Sequence, residues 1–213
     1  MNASERLVYL LDDEPEMVKA LGRLLRSKRF GVRGFTSVGE FLSAYQPGGI
    51  ACLVLDVAMP GLDGLQLQRR LNDQGLLIPI VFLTGHGDIP MSVRAIKAGA
   101  TDFLTKPVDA NALVRAVRTA LDTAKSRQQD IAETAAVTAR YDTLTARERE
   151  VMQHVVAGRL NKQIAADFGT GEQNIKLHRA HIMQKMAVES LPDLVRAAER
   201  LGIGHSGVHG TGS

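Results

Sequence analysis

The chain has a single cysteine, Cys52, in 213 residues, which precludes an internal disulfide. Lying against an apolar run, Cys52 reads as a small core residue. No apolar segment approaches the roughly 20 residues of a membrane-spanning helix. The opening Met1-Asn2-Ala3-Ser4-Glu5-Arg6 has neither the basic start nor the apolar stretch of a signal peptide, so a cytoplasmic location is expected. Net charge is also scarce. The 26 Lys and Arg against 23 Asp and Glu leave +3, too little by itself to announce nucleic acid, so any DNA binding must rest on locally placed groups. What remains is the composition of an ordinary globular protein, 45% hydrophobic and 23% charged, with length for one large domain or two small ones.

Up to about Leu121, short apolar runs alternate with segments of helical period. Leu7-Val8-Tyr9-Leu10-Leu11 reads as a strand, and Met17, Val18, Leu21, Leu24 and Leu25 then recur at helical spacing. Gly31 to Phe35 is a weaker, edge-type strand before a helix carrying Val38, Phe41, Leu42 and Tyr45. Cys52 to Asp56 precedes a helix from Gly64 to Asp73. Ile80 to Leu83 precedes a short helix with Val93 and Ile96, and Asp102 to Thr105 precedes a helix opening near Ala110, which Asp109 can cap. Five β-then-α units predict an α/β fold, a doubly wound five-stranded parallel sheet with helices on both faces. Right-handed crossovers put all strand ends on one edge, where ligands bind in such sheets.

Those ends carry Asp12-Asp13, Asp56 and Thr84, with Lys106 just beyond the last. Each residue alone has a plain explanation as a turn residue, a cap or a solvated charge. Together, three converging carboxylates repel unless a cation neutralises them, and hard oxygen ligands with room for water suit Mg²⁺. A lysine and a hydroxyl opposite such a metal are what an incoming phosphoryl group needs.

The spacing of Asp12-Asp13, Asp56, Thr84 and Lys106-Pro107 resembles the receiver domain of two-component response regulators over residues 5 to 122. The resemblance implies that Asp56 is the phosphoacceptor and Asp13 a direct Mg²⁺ (or Mn²⁺) ligand. It implies also that Asp12 acts mostly through water, that the Ala58 carbonyl completes the metal site, and that Thr84 and Lys106 hold the phosphoryl oxygens. Phe103 matches the aromatic switch position, His86 would lie beside the site, and the Lys106-Pro107 bond would be cis. Thr84-Gly85-His86-Gly87-Asp88-Ile89-Pro90-Met91, with Lys97-Ala98-Gly99-Ala100, is similar to the FixJ branch in particular.

Helical pattern continues past Ala110 with no Pro or Gly before Tyr141, predicting a long last receiver helix that extends into a semi-rigid linker. Thr145-Ala146-Arg147-Glu148 is a capping box that opens a helix with Val151, Val155 and Val156. Asn161 is expected to cap Lys162 to Phe168; Glu172 to Met186 is a longer helix, and Ser190 caps a last one. Two helices joined by a tight Gly-containing turn and braced by others point to a helix-turn-helix. Leu144 to Val151, Asn161-Lys162-Gln163-Ile164-Ala165 and Ile175-Lys176-Leu177-His178-Arg179 resemble the LuxR-type four-helix DNA-binding domain of the NarL/FixJ family. The expected organisation is a receiver at 1–122, a helical linker at 123–141, a small all-α helix-turn-helix domain at 142–202 and a flexible tail at 203–213.

Within the helix from Glu172, the residues Gln173, Lys176, Leu177 and Ala180 share one face and are the candidates for base edges. Lys162, His178, Arg179 and Lys185 are candidates for phosphates. Gly171 and Asn174 stand where the family usually has Ser and Thr. His154 and His181 show no metal spacing.

The resemblance implies a transcription regulator phosphorylated by a sensor histidine kinase. Shifts of Thr84 and Phe103 would promote homodimerisation through Val93, Arg94, Lys97 and Asp102, binding to double-stranded DNA, and contact with RNA polymerase. No enzymatic activity is expected beyond phosphoryl transfer to and from Asp56. Aspartate-nucleophile phosphatases place a second acid two residues after the first, where this chain has Ala58. A phosphorylation-independent DNA binder is the other alternative, against which intact Asp13, Asp56, Thr84 and Lys106 argue.

Overall fold

A computed structural model describes residues 6–61, 63–85 and 89–203. The expectations for His86 and for most of the C-terminal tail lie outside them. In chain order the elements of the first part are β1 (Leu7–Leu11), α1 (Pro15–Ser27), β2 (Gly31–Phe35), α2 (Val38–Ala44), β3 (Ala51–Asp56), α3 (Gly64–Asp73), β4 (Ile80–Thr84), α4 (Ile89–Lys97), β5 (Asp102–Thr105) and α5 (Ala110–Asp142). The strands form one parallel sheet in the order β2-β1-β3-β4-β5. β3 is central and buried along its whole length, as its unbroken apolar run requires. β2 and β5 are the edge strands, and β2 is half exposed.

Alternation along the strands sends successive side chains to two cores. Val8, Leu10, Cys52, Val54, Val81 and Leu83 meet Leu21 and Leu25 of α1 and Leu113, Val117 and Leu121 of α5. Tyr9, Leu11, Leu53, Leu55 and Phe82 face the opposite way, toward Phe41 of α2, Leu67 and Leu71 of α3 and Ala95 of α4. The helical period of α4 is as expected, but Val93 and Ile96 do not carry its buried face. They are 45% and 47% exposed, and the inward position is held by Ala95, with Met91 packed alongside.

Asp109 Oδ1 accepts from the Ala112 amide at 2.7 Å at the start of α5. The chain divides into two compact units, the first reaching Gln129 and the second starting at Asp130. The buried residues of α5 end at Ala124, and Val137 and Tyr141 pack against the core of the second unit.

That second unit adds α6 (Ala146–Val156), α7 (Asn161–Asp167), α8 (Glu172–Met186) and α9 (Leu191–Arg200). Its core joins Val151, Met152 and Val155 to Ile164, Ile175, Ile182, Met186, Leu194 and Ala198. The Thr145 box forms in both directions: Glu148 N donates to Thr145 Oγ1 at 3.2 Å, and Thr145 N to Glu148 Oε2 at 2.8 Å. Ser190 Oγ accepts from Asp193 N at 3.3 Å and caps α9. Asn161 is not the cap of α7 as expected. Leu160 takes that position because Gln163 Oε1 reaches back to its amide at 2.9 Å, drawing Asn161 into the first turn.

Candidate functional site

The parallel register sets the strand ends level, and Asp12 after β1, Asp56 at the end of β3, Thr84 at the end of β4 and Lys106 after β5 meet at one edge. Asp12 and Asp56 are 3% and 4% exposed, and Lys106 Nζ lies between them, 2.8 Å from Asp12 Oδ2 and 2.9 Å from Asp56 Oδ2. Asp13 is exposed. Its carboxylate, with those of Asp12 and Asp56, offers ligand oxygens that all lie within 4.8 Å of one another. The other oxygens of the buried pair are held by backbone: Asp12 Oδ1 accepts from Glu14 N at 2.9 Å, and Asp56 Oδ1 from Ala58 N at 3.2 Å.

Asp13, Asp56 and Lys106 open on a cleft of about 320 Å³ that Ala58, Thr84, Gly85 and Met91 also line. Thr84 is buried, and its carbonyl accepts from Lys106 N at 2.7 Å, which ties the end of β4 to the lysine. The Lys106-Pro107 peptide is cis. Burial alone would push the Lys106 ammonium down, but hydrogen bonds from it to Asp12 and Asp56, and their charge, outweigh burial and hold it above its ordinary value. One ammonium faces two buried carboxylates, with the exposed Asp13 and Glu14 beside them. Three hard oxygen donors with an excess of negative charge fit Mg²⁺.

Phe103 is half-buried, its ring 6.2 Å from that of Phe82. Its amide donates to Asp102 Oδ1 at 2.8 Å. Val93, Arg94 and Lys97 lie exposed on α4. Two further residues belong to the site that the sequence did not single out. Glu14 brings a carboxylate oxygen to 3.9 Å from Lys106 Nζ. Gly64 packs so closely under β3 that a Cβ there would stand 2.7 Å from the Asp56 carbonyl oxygen and 3.1 Å from Val57 Cα. The capping box of Asp63 and Gln66 fixes that start of α3.

On the second unit, Gln173, Lys176, Leu177 and Ala180 are all exposed on α8, Leu177 at 54%. Lys162 and Arg179 line one cleft of about 520 Å³ together with Arg159, which the sequence reading did not include. Arg179 Nη1 donates to Asn161 Oδ1 at 3.1 Å. His178 is half-buried. Lys185 differs from the others. Its Nζ sits 2.6 Å from Oε2 of the buried Glu148, so its ammonium is engaged inside the domain. Burial would raise the Glu148 carboxyl, but the hydrogen bonds from Lys185 and Thr145 outweigh it and hold it below its ordinary value. His181 lies 3.8 Å from the same carboxylate. His154 packs edge-on to Phe168 at 5.2 Å and meets Arg159 Nη1 at 2.9 Å, a structural setting.

Residues 8–118 match the response regulator receiver domain, and residues 142–198 match the bacterial regulatory proteins of the luxR family. The chain is 44% identical over 201 residues to the response regulator protein TmoT of Ectopseudomonas mendocina, covering 94% of this chain and 91% of that protein. It is 40% identical over 196 residues to the transcriptional regulatory protein FixJ of Bradyrhizobium diazoefficiens, covering 92% and 96%. The likeness to FixJ is therefore real, and TmoT stands above it in identity. Among solved structures, that of the response regulator StyR superposes with a TM-score of 0.79 at 42% identity, covering 91% of this chain and 98% of that one. No helix among the described residues is long and apolar enough to cross a membrane.

Proposed function

The chain belongs to the response regulators that join a receiver domain to a luxR-family DNA-binding domain, and from that premise we propose that it is a transcription regulator switched by phosphorylation of Asp56. A carboxylate oxygen of Asp56 attacks the phosphorus of a phosphohistidine on a sensor histidine kinase, the P–N bond breaks and the imidazole leaves. The observation that carries this reading is the buried Asp56, its Oδ2 2.9 Å from Lys106 Nζ and its carboxylate grouped with those of Asp12 and Asp13 at the mouth of a cleft.

Asp12, Asp13, Asp56 and the Ala58 carbonyl would hold Mg²⁺, or Mn²⁺. Bound there, the ion offsets the charge of the acids and of the phosphoryl oxygens. Lys106 stays protonated between the acids and pairs with a phosphoryl oxygen once one arrives, while the Thr84 hydroxyl donates to another. The pull on Thr84 repacks Phe103 and alters the face carrying Val93, Arg94, Lys97 and Asp102, and two receivers dimerise there. A dimer presents two α8 helices to a two-fold-related site in double-stranded DNA. Gln173, Lys176, Leu177 and Ala180 read base edges. Lys162, His178 and Arg179 take phosphates, and Lys185 drops out of that set because Glu148 engages it. The protein acts in the cytoplasm, with RNA polymerase as the downstream partner. The working division is a receiver at 1–122, a linker at 123–141 and an output domain at 142–202.

Asp56→Asn keeps the size and removes the nucleophile. Incubation with a radiolabelled small phosphodonor and Mg²⁺ labels the wild-type protein and leaves this variant unlabelled; equal labelling of both would overturn the assignment.

A further inference from the structure

α3 presents its core face through Gly64, Leu67, Gln68 and Leu71, and Gln68 is 1% exposed among apolar neighbours. Its Nε2 donates to the carbonyls of Ala98 at 3.2 Å and of Ala95 at a longer 3.4 Å. One turn on, Asn72 Nδ2 donates to the same Ala98 carbonyl at 3.2 Å. Helix ends leave carbonyls without intrahelical donors; the Ala95 carbonyl already accepts from Ala100 N at 3.0 Å, so it is at Ala98 that two amide side chains at i and i+4 of one helix supply donors to the end of another. Gln68 Oε1 has no hydrogen-bond partner among the described residues. A leucine would fill the same space and leave no such oxygen, so what the glutamine adds is its pair of donors aimed at α4.

The opposite end of α4 adjoins the acidic cleft, which Met91 lines beside Thr84 and Gly85. Between the two ends lies the outer face with Val93, Arg94, Ile96 and Lys97, two of whose members are large apolar side chains nearly half exposed. We propose that Gln68 and Asn72 are positioning residues: they clasp the C-terminal end of α4 and so set the orientation of the face through which phosphorylated receivers pair. This rests on the dimer reading given above. With that end clasped, a change at the Thr84 end turns the outer face as a unit; without the clasp, the helix end loosens and the change dissipates.

The test uses the full-length chain as wild type, Asn72→Ala, Gln68→Leu, Gln68→Glu and the Asn72→Ala, Gln68→Leu double variant. Three quantities are read with Mg²⁺ and a small phosphodonor: label on Asp56, the dimer dissociation constant by sedimentation, and amide exchange at Ala98, Gly99 and Ala100. Labelling is expected to stay within about twofold of wild type, while the double variant dimerises about tenfold more weakly and exchanges faster at those amides. Gln68→Glu keeps the shape and, protonated by burial beside two carbonyls, one donor, and is expected to fall between wild type and Gln68→Leu. A residue that only supports the fold would change melting and exchange across the sheet without altering the dimer constant of the labelled protein. An unchanged dimer constant in the double variant overturns the proposal. Should the Gln68 variants fail to fold, the exposed Asn72→Ala decides in the same way, with an expected weakening of about threefold. If the wild-type protein takes label without dimerising, the dimer reading itself fails and the clasp's role with it, a result visible before any variant is compared.

Discussion

In the first unit Asp12 and Asp56 are buried beside Lys106, at 2.8 and 2.9 Å. In the second, Glu148 is buried beside Lys185, at 2.6 Å. The two settings differ in charge balance and in what adjoins them. Lys106 faces two buried acids with two exposed ones, Asp13 and Glu14, beside them, and the group opens on a cleft. Glu148 meets one lysine and the Thr145 amide, and the result stitches the start of α6 to the end of α8. An unbalanced acidic cluster on a cleft calls for a ligand, whereas a balanced pair between helices holds a scaffold. Buried charge alone distinguishes neither.

The strongest way to break the first setting without touching its charges is Gly64→Ala. The added Cβ presses on the Asp56 carbonyl and on Val57, backbone that cannot yield cheaply. A loss of about 2–3 kcal/mol in urea unfolding is expected, together with slower phosphoryl uptake, since overpacking of this kind displaces backbone.

Glu148→Ala breaks the second setting. Because Lys185 remains partly exposed and regains water, about 2 kcal/mol is expected, below the figure for a fully buried pair. The pair also carries a pH dependence. With its folded carboxyl held below the ordinary 4.5, Glu148 contributes stability that is complete above that value and is lost as pH falls through the folded one. Acid titration of unfolding should show this loss in the wild type and not in Glu148→Gln.

Asp13→Asn sharpens the contrast from the other side. Removing one acid relieves repulsion, so melting without divalent ions should hold or rise by a degree or two, while Mg²⁺ affinity by calorimetry falls about tenfold. No scaffold pair gives both outcomes. The smallest effect separates two lysines of the output domain. Lys162→Ala should lower the salt dependence of DNA affinity by about one unit of log–log slope, and Lys185→Ala should leave the slope unchanged.

Much of the fold was legible because it is written in local pattern. The unbroken apolar run of β3, the alternation of strand and helix, and the Thr145 and Ser190 caps each depend on residues within a few positions of one another. The acidic site was legible for a related reason: parallel topology sends every strand end to one edge, so Asp12, Asp13, Asp56, Thr84 and Lys106 could be brought together without knowing any distance. Links that depend on tertiary distance were not legible. Glu148 and Lys185 lie 37 residues apart and Gln68 and Ala98 30 apart, and no periodicity joins them. Gly64 read as a helix start, since close approach to a carbonyl leaves no mark in sequence. Asn161 misleads because Ser, Thr, Asn and Asp are the usual caps, whereas here the Gln163 side chain fixes the start one residue earlier. Val93 and Ile96 mark a helix but not its inward face, which a small alanine occupies.

The central claim is that phosphorylation at Asp56 governs DNA binding by α8. The most direct measurement compares the affinity of full-length wild-type protein and of Asp56→Asn for a selected operator fragment, each with and without phosphodonor and Mg²⁺, at one salt concentration. The account predicts that phosphodonor tightens wild-type binding about tenfold or more and leaves Asp56→Asn at the unphosphorylated level. Equal affinity of the wild-type protein in both conditions would contradict it.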